Sequence, residues 1–411
     1  MNQWKKTIPV LLSAIALGLI VAVLSILGFQ GSETKQHGIQ NYKYVYHSGK
    51  YSRRILAEGD TLDKVEDVDL EYEIIPLSGN NTDLGYYFTY LNLGNPQQRQ
   101  IVIPDTGSTK LVLPCQDCYK GDCGTHADIH FNWTKSKTAS FLKCPSKKFN
   151  CDSCVDVEDS HDPGCGYKVF FGEQSTLSGY LVEDQIYFGS YRNATDGFTF
   201  LIGCNTEETK MIHSQFADGI MGLAPTKKSI IKTAYERNPN IDHNVFSICM
   251  AADGGYFNVG GAFSNSPVGI KFFPYTLSRR NHYALPIKEM QLNTETIGDF
   301  EATFHKIQPF LDSGTTESYF PSGIYDAFMK KFGNFCQQEG KCLGKKERRC
   351  FRPTVDTLDA FFASFPSLTF RLGDVEYEWG SRYYLSGIGS NQHRHCLGIS
   401  EMKNQETMIL G

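Results

Sequence analysis

Residues 101–109 (IVIPDTGST) and 309–316 (PFLDSGTT) constrain this chain more than any other feature. Each runs from apolar residues into an Asp, then a hydroxyl residue, a Gly and further hydroxyl residues. The apolar lead-in reads as a buried strand, and the Gly marks a sharp turn of the backbone. Asp105 and Asp312 therefore sit at strand ends, in tight loops built from Thr106, Gly107 and Ser108 in one case and Ser313, Gly314 and Thr315 in the other. One such loop is an ordinary turn. Two, about two hundred residues apart and each behind its own apolar strand, imply two similar units that each offer one carboxyl.

The paired loops resemble those of the pepsin-like aspartic proteases. That resemblance implies an all-β fold of two β-rich lobes with short peripheral helices, and a cleft between the lobes. It implies that Asp105 and Asp312 form a catalytic dyad. Ser108 and Thr315 would hydrogen-bond the outer carboxyl oxygens, Thr106 and Ser313 would brace the loops across the lobe interface, and Gly107 and Gly314 would leave room for substrate backbone. Two carboxyls held together share a proton, so one serves as base and the other as acid. Such a pair can activate a water against a peptide carbonyl, and neither a cofactor nor a metal is called for. A Ser-His-Asp reading of His126, His213 or His395 lacks a Gly-x-Ser-x-Gly elbow, and these histidines read as surface or loop residues.

With 411 residues the chain can build two sizeable cores. The expected division is 1–7 cytosolic tail, 8–29 signal anchor or long signal peptide, 30–84 pro-segment or juxtamembrane linker, 85–255 N-terminal lobe, and 256–411 C-terminal lobe. Lys5 and Lys6 precede the uncharged run 8–29, which is long enough to span a bilayer and places the body in the lumen or outside the cell. Three Asn-x-Thr acceptors, at Asn80, Asn132 and Asn193, and thirteen clustered cysteines suit the same compartment. The net charge of −5, with both signs interspersed, gives no reason to expect a nucleic-acid partner. The expected partners are protein or peptide substrates and, through the N-terminal run, a membrane of the secretory or endolysosomal pathway; the chain reads as a monomer.

From Gln30 to about Asp83 the sequence is polar, with a dibasic pair at Arg53-Arg54 and an acidic stretch at 58–73. Organised structure is expected from Gly85, beginning with the aromatic strand 86–93. Pro104, directly before the first Asp, lacks a backbone donor and does not fit a fully paired central strand. Cys115, Cys118, Cys123, Cys144, Cys151, Cys154 and Cys165 then form a cysteine-rich insertion, read as disulfides rather than a zinc site in this compartment. The spacing of its cysteines after Asp105 resembles the insertion of the plasmepsin V / nepenthesin-type subgroup.

Residues 169–179 have the layout of a flap hairpin or an ordinary Gly-turn hairpin, with Phe171 and Gly172 at its tip. Phe171 falls where the family usually has Tyr. Residues 216–224 match a strand packing on the first Asp loop, and Cys204 and Cys249 belong to the same framework. In the second half an amphipathic helix is expected over 322–335, with Ile324, Tyr325, Phe328 and Phe332 on one face. Strands are expected at 365–370 and 383–385, and Cys336, Cys342, Cys350 and Cys396 supply two disulfides. The family resemblance implies further strands after Gly411.

Two functions from different classes fit these features. One is a membrane-anchored aspartic endopeptidase, for which both Asp loops are intact. The other is a catalytically silent relative that binds a protein or a polysaccharide-degrading enzyme, a reading kept open by Pro104 and Phe171.

Overall fold

The computed structural model describes residues 73–411 except 81–82, 119–122, 148, 158–159, 173, 190–196, 252–253, 262–271, 388–393 and 404–406; before residue 73 it describes only the backbone of 20–25, 41–47 and 50–56. The first lobe is built on β1 (Glu73–Asn80), β2 (Tyr86–Leu93), β3 (Gln98–Asp105), β4 (Leu111–Pro114), β5 (Gly164–Phe170), β6 (Thr176–Phe188), β7 (Phe198–Glu208), α1 (Lys210–Ser214), β8 (Gly219–Gly222), α2 (Ile230–Arg237), β9 (Val245–Ala251) and β10 (Gly254–Val259). The second lobe follows with β11 (Tyr283–Ala284), β12 (Ile287–Leu292), β13 (Phe310–Leu311), β14 (Ser318–Pro321), α3 (Ser322–Cys336), β15 (Leu368–Leu372), β16 (Val375–Trp379), β17 (Ile399–Met402) and β18 (Ile409–Leu410).

The same strand arrangement occurs twice. In the first lobe β3, which ends in Asp105, runs parallel to β8; β8 is antiparallel to β4, and β4 is parallel to β7. In the second lobe β13, which leads into Asp312, runs parallel to β18; β18 is antiparallel to β14, and β14 is parallel to β17. Each Asp thus leaves the end of a strand flanked by a short apolar strand that ends at Gly222 or just before Gly411. The chain is an all-β protein of two lobes with short helices around them, as its paired motifs imply.

Each lobe has its own core. The first gathers Leu91, Val102, Leu111, Ile202, Met221, Phe246 and Phe257, among others, and the second gathers Phe320, Phe328, Leu368, Phe370, Ile399 and Leu410. A fully buried Leu, Ile or Phe contributes roughly 1.5–3 kcal/mol relative to exposure, so each core is a main source of its lobe's stability. Helix α3 buries Ile324, Phe328 and Phe332, spaced four residues apart so that they fall on one face, as the periodicity predicts. Tyr283 crosses between lobes: it opens the second lobe's pattern, yet packs in the first core and donates its hydroxyl to the Leu223 carbonyl at 2.9 Å.

Several elements differ from the expectations. Strand β1 lies within the stretch read as a polar linker; Ile75 and Leu77 are buried, and β1 pairs with both β2 and β10. Its alternating pattern is short and flanked by charge, which hides it in the sequence. Strand β10 spans the boundary placed at 255 and completes the first lobe's sheet with β1 and β9. Tyr383 and Tyr384 close a short helix, Ser381–Tyr384, and only Leu385–Gly387 continues as strand. His395 is a buried strand residue, neither surface nor loop, while His126 lies in a loop, as expected, with its side chain fully buried. Of the apolar run 8–29 only Ile20–Ser25 is described, as a strand antiparallel to β9; the rest lies outside the described residues, as does Asn193. Among the described residues no helix is long and apolar enough to cross a membrane.

Candidate active site

Pro104 is accommodated because its two ladders end at different points. Pairing of β3 with β2 stops at Val102, and beyond it only β8 runs alongside, with Met221 opposite Pro104. The missing N–H therefore falls where β2 no longer needs a partner. The Asp105 loop is then clamped to the strand beside it, since Leu223 N–H donates to the Asp105 carbonyl at 2.7 Å and Ala224 N–H to that of Ser108 at 2.9 Å.

The two Asp loops meet and interlock. Thr106 N–H donates to Ser313 Oγ at 3.1 Å, and Ser313 N–H donates to Thr106 Oγ1 at 3.0 Å. The two hydroxyls then donate onward across the interface, Thr106 Oγ1 to the Leu311 carbonyl at 3.0 Å and Ser313 Oγ to the Pro104 carbonyl at 2.7 Å. Four bonds related by an approximate two-fold tie lobe to lobe directly beneath the carboxyls. A fifth contact lies at the rim, where Thr316 Oγ1 donates to the Gly85 carbonyl at 2.6 Å.

The glycines make room for the carboxyls themselves. A Cβ on Gly107 would lie 2.3 Å from Asp312 Oδ2, and one on Gly314 would lie 2.5 Å from Asp105 Oδ1. The space a side chain would need is thus taken by the opposite Asp, and any larger residue would push the pair apart. Each glycine amide also holds its own loop's Asp: Gly107 N–H donates to Asp105 Oδ1 at 2.8 Å, and Gly314 N–H to Asp312 Oδ1 at 3.0 Å.

Beyond this the two halves differ. Thr315 Oγ1 donates to Asp312 Oδ2 at 2.7 Å. Its counterpart Ser108 stands beside Asp105 and favours the ionised form, but its buried hydroxyl closes no bond of full geometry. Asp105 is buried, whereas Asp312 is partly exposed. Burial, and next the charge of Asp312, push the Asp105 carboxyl well above the usual carboxylate range. The Asp312 carboxyl stands close enough to act directly on that of Asp105.

His282 was given no role by sequence reasoning. Its ring stacks on Phe310, the residue two before Asp312, with centroids 4.0 Å apart. Burial lowers its proton affinity, which the nearby Asp312 charge partly restores. A lone His before an apolar strand carries no signal that would distinguish it from a core residue.

The hairpin expected as a flap is formed by β5 and β6, with Phe170 opposite Thr176. Phe171 is partly buried against a small cluster that includes Val112, Leu177 and Ile220, while Phe170 is 71% exposed. Gly172 faces open space. Gln174 adopts φ +73°, the left-handed region that favours Gly, and accepts a bond from Lys210 Nζ at 3.0 Å.

Twelve of the thirteen cysteines pair: Cys115–Cys204, Cys118–Cys123, Cys144–Cys154, Cys151–Cys165, Cys336–Cys342 and Cys350–Cys396. Four bridges fasten the insertion. The longest-range of them, Cys115–Cys204, ties the residue just after β4 to the interior of its parallel neighbour β7. Cys249 in β9 is buried and free, so it does not join the disulfide framework expected to include it.

Comparison with known proteins gives one pattern. Residues 87–261 match the family described as Xylanase inhibitor N-terminal, and 282–411 match Xylanase inhibitor C-terminal. Plasmepsin V of Plasmodium falciparum is 33% identical over 193 residues, 45% of this chain and 31% of that protein. Aspartic protease 5 of Toxoplasma gondii is 29% identical over 199 residues, 45% of this chain and 20% of its own. Aspartic proteinase 39 of Arabidopsis thaliana is 26% identical over 360 residues, covering 82% of this chain and 72% of the relative. The matched region thus spans less than a third of the first two relatives' own length.

Proposed function

Since this chain belongs to the pepsin-like aspartic proteases, with plasmepsin V and nepenthesin-type relatives, we propose that it is an aspartic endopeptidase that cuts internal peptide bonds with Asp105 and Asp312. The observation that carries the reading is the interlocked carboxyl pair, in which one buried Asp, its proton affinity raised by burial and by its neighbour, stands beside a second, more exposed Asp. A water between them loses a proton to Asp312 while Asp105 donates toward the scissile carbonyl oxygen. The tetrahedral intermediate then collapses as a proton passes to the leaving nitrogen. The interlock holds both carboxyls in place, so little reorganisation is needed during the reaction. The hairpin 169–179 would close over the bound peptide, with Phe171 supplying an apolar lid without a phenolic hydroxyl.

The reading is tested by exposing the folded protein to a random peptide library across pH. Internal cleavage, best at mildly acidic pH, supports it; folded protein that cuts nothing at any pH transfers the assignment to a silent binding relative. That alternative is favoured by the name of the matching family, Xylanase inhibitor, and a direct xylanase-binding assay addresses it.

Six disulfides suit a lumenal or extracellular compartment. Within it we place residues 8–29 in a bilayer as an anchor. The strand Ile20–Ser25 along β9 is a competing use of part of the same run. Resistance to alkaline carbonate extraction supports the anchor, and release into the soluble fraction supports the strand. We also assign an N-glycan to Asn132, whose Oδ1 caps the turn 133–135 by accepting from Lys135 N–H and Thr134 Oγ1, so that a glycan on Nδ2 leaves the cap intact. A glycosidase-sensitive mass shift lost in Asn132→Gln confirms it, and an unchanged mass refutes it.

A further inference from the structure

The insertion carries a buried charge that the proposed chemistry does not use. The His126 side chain is fully enclosed, as is that of Glu208, and Nε2 lies 2.9 Å from Glu208 Oε2. Nε2 also lies 2.5 Å from the Cys123 carbonyl, and Nδ1 lies 3.0 Å from the Gln215 carbonyl. Carbonyl and carboxylate oxygens only accept hydrogen bonds. Both ring nitrogens therefore face acceptors alone, and a neutral imidazole, with one N–H, would leave one of them lone pair against lone pair. The site is built for the doubly protonated ring.

Glu208 is as firmly held. Its second oxygen accepts from Asn205 Nδ2 at 2.5 Å, and Asn205 in turn accepts from the buried Tyr167 hydroxyl. Glu208 is the last residue of β7 and lies opposite Leu177 of β6, the strand that leaves the hairpin. The next residues continue the connection toward the tip. Thr209 N–H donates to the Thr176 carbonyl at 3.1 Å, Thr176 N–H donates to Thr209 Oγ1 at 2.9 Å, and Lys210 Nζ reaches Gln174. On the other side the His126 loop is stapled by Cys118–Cys123 and pressed against α1, where a Cβ on Gly124 would lie 1.7 Å from the His213 carbonyl. His126 and Glu208 thus join the insertion to the stem of the hairpin.

We propose that the His126–Glu208 pair is a positioning device: it clamps the cysteine-rich insertion to the hairpin stem while the imidazole is doubly protonated, and proton loss at higher pH releases both. The consequence for catalysis rests on the endopeptidase reading; the protonation state and the release do not. The groups facing the ring are Glu208 from β7, Asp218 from the segment before β8 and His130 from its own loop, with Tyr167 from β5 behind Glu208. Burial alone opposes the charged ring, but the Glu208 bond and charge and the two carbonyls outweigh it, so the proton affinity of His126 is raised. A group whose affinity is raised on folding stabilises fully below its ordinary value of 6.5, and this stabilisation is lost as pH rises through the folded value. The clamp is therefore closed at mildly acidic pH, where the paired aspartates would work. His130, whose ring centroid lies 6.1 Å away, is pushed the other way by burial and by the His126 charge.

The test uses the full chain and two readouts that need no activity. In ¹⁵N-edited spectra of the wild type, with His126→Gln for assignment, both His126 ring nitrogens should carry protons through pH 6.5 and lose one above it. A single N–H at pH 5–6.5 would overturn the proposal without variants. Hydrogen exchange, corrected for intrinsic rates, should show opening of residues 123–128 and 174–177 rising up to about tenfold per pH unit beyond the titration. In Glu208→Gln that opening should be raised at low pH and lose its pH dependence. Opening of the insertion alone, with the hairpin unchanged, would refute the link between them. If the protein cleaves peptides, Glu208→Gln should flatten the alkaline limb of kcat/KM, while an unaltered limb would refute the catalytic consequence alone.

Discussion

Replacing Thr106 by Val exchanges a hydroxyl for a methyl of nearly the same shape, and so isolates the interlock from packing. The change removes the bond to the Leu311 carbonyl and the one accepted from Ser313 N–H, both 3.0 Å long. Thr106 is 3% exposed, so water cannot readily replace the lost hydroxyl. Two main-chain groups lose their partners, at about 1–3 kcal/mol each when buried. Ser313 is only partly buried and its amide can recover some solvation, so a total of about 2–4 kcal/mol is expected. For a unit of this size that is a loss of roughly 5–15 °C in Tm. Ser313→Ala removes the other two bonds and should cost a similar amount. Ser108→Ala is the control, because that hydroxyl closes no bond, and it should change Tm little. Thermal and denaturant unfolding of the three variants decides the matter. A Thr106→Val protein as stable as wild type, or Ser108→Ala as damaging as Thr106→Val, would refute the claim that these four bonds hold the lobes together at the dyad.

Ser108→Ala should also raise the Asp105 proton affinity further, since Ser108 favours the ionised form, and so move the alkaline limb of cleavage to higher pH; an alkaline limb displaced to lower pH would contradict this. Gly107→Ala, with a Cβ 2.3 Å from Asp312 Oδ2, should cut turnover at least a hundredfold while leaving far-ultraviolet circular dichroism unchanged, and normal turnover would show that the carboxyls do not need this close approach. Thiol titration should find one reactive group per chain in denaturant, Cys249, and thirteen after reduction; more than one before reduction would refute the pairing.

What could be read from the sequence follows from which interactions leave local patterns. The Asp loops were legible because a strand ending in a constrained turn requires apolar residues, then Gly and small hydroxyls, within a few positions. Helix α3 was legible because Ile324, Phe328 and Phe332 repeat at a helical period. Strand β1 was missed because its first five residues, Glu73 to Leu77, pair with β10, about 180 residues later. Tyr383 and Tyr384 have strand propensity, but Tyr384 is drawn into a helical turn whose hydroxyl reaches the buried Pro366 carbonyl. The disulfide partners, the steric role of Gly107 against Asp312, and the enclosure of His126 by Cys123, Glu208 and Gln215 all depend on distant segments meeting. Spacing along the chain carries no record of such meetings.

The central claim is that Asp105 and Asp312 act as one proton-sharing pair. Its most direct measurement is the cleavage rate of a library-derived peptide by wild type, Asp105→Asn and Asp312→Asn, with each variant's fold checked by circular dichroism. Each amide nearly preserves shape but removes one member of the pair. Both variants should therefore be folded and inactive across the pH range, while the wild type cuts best in mild acid. Substantial activity retained by either folded variant would contradict the account.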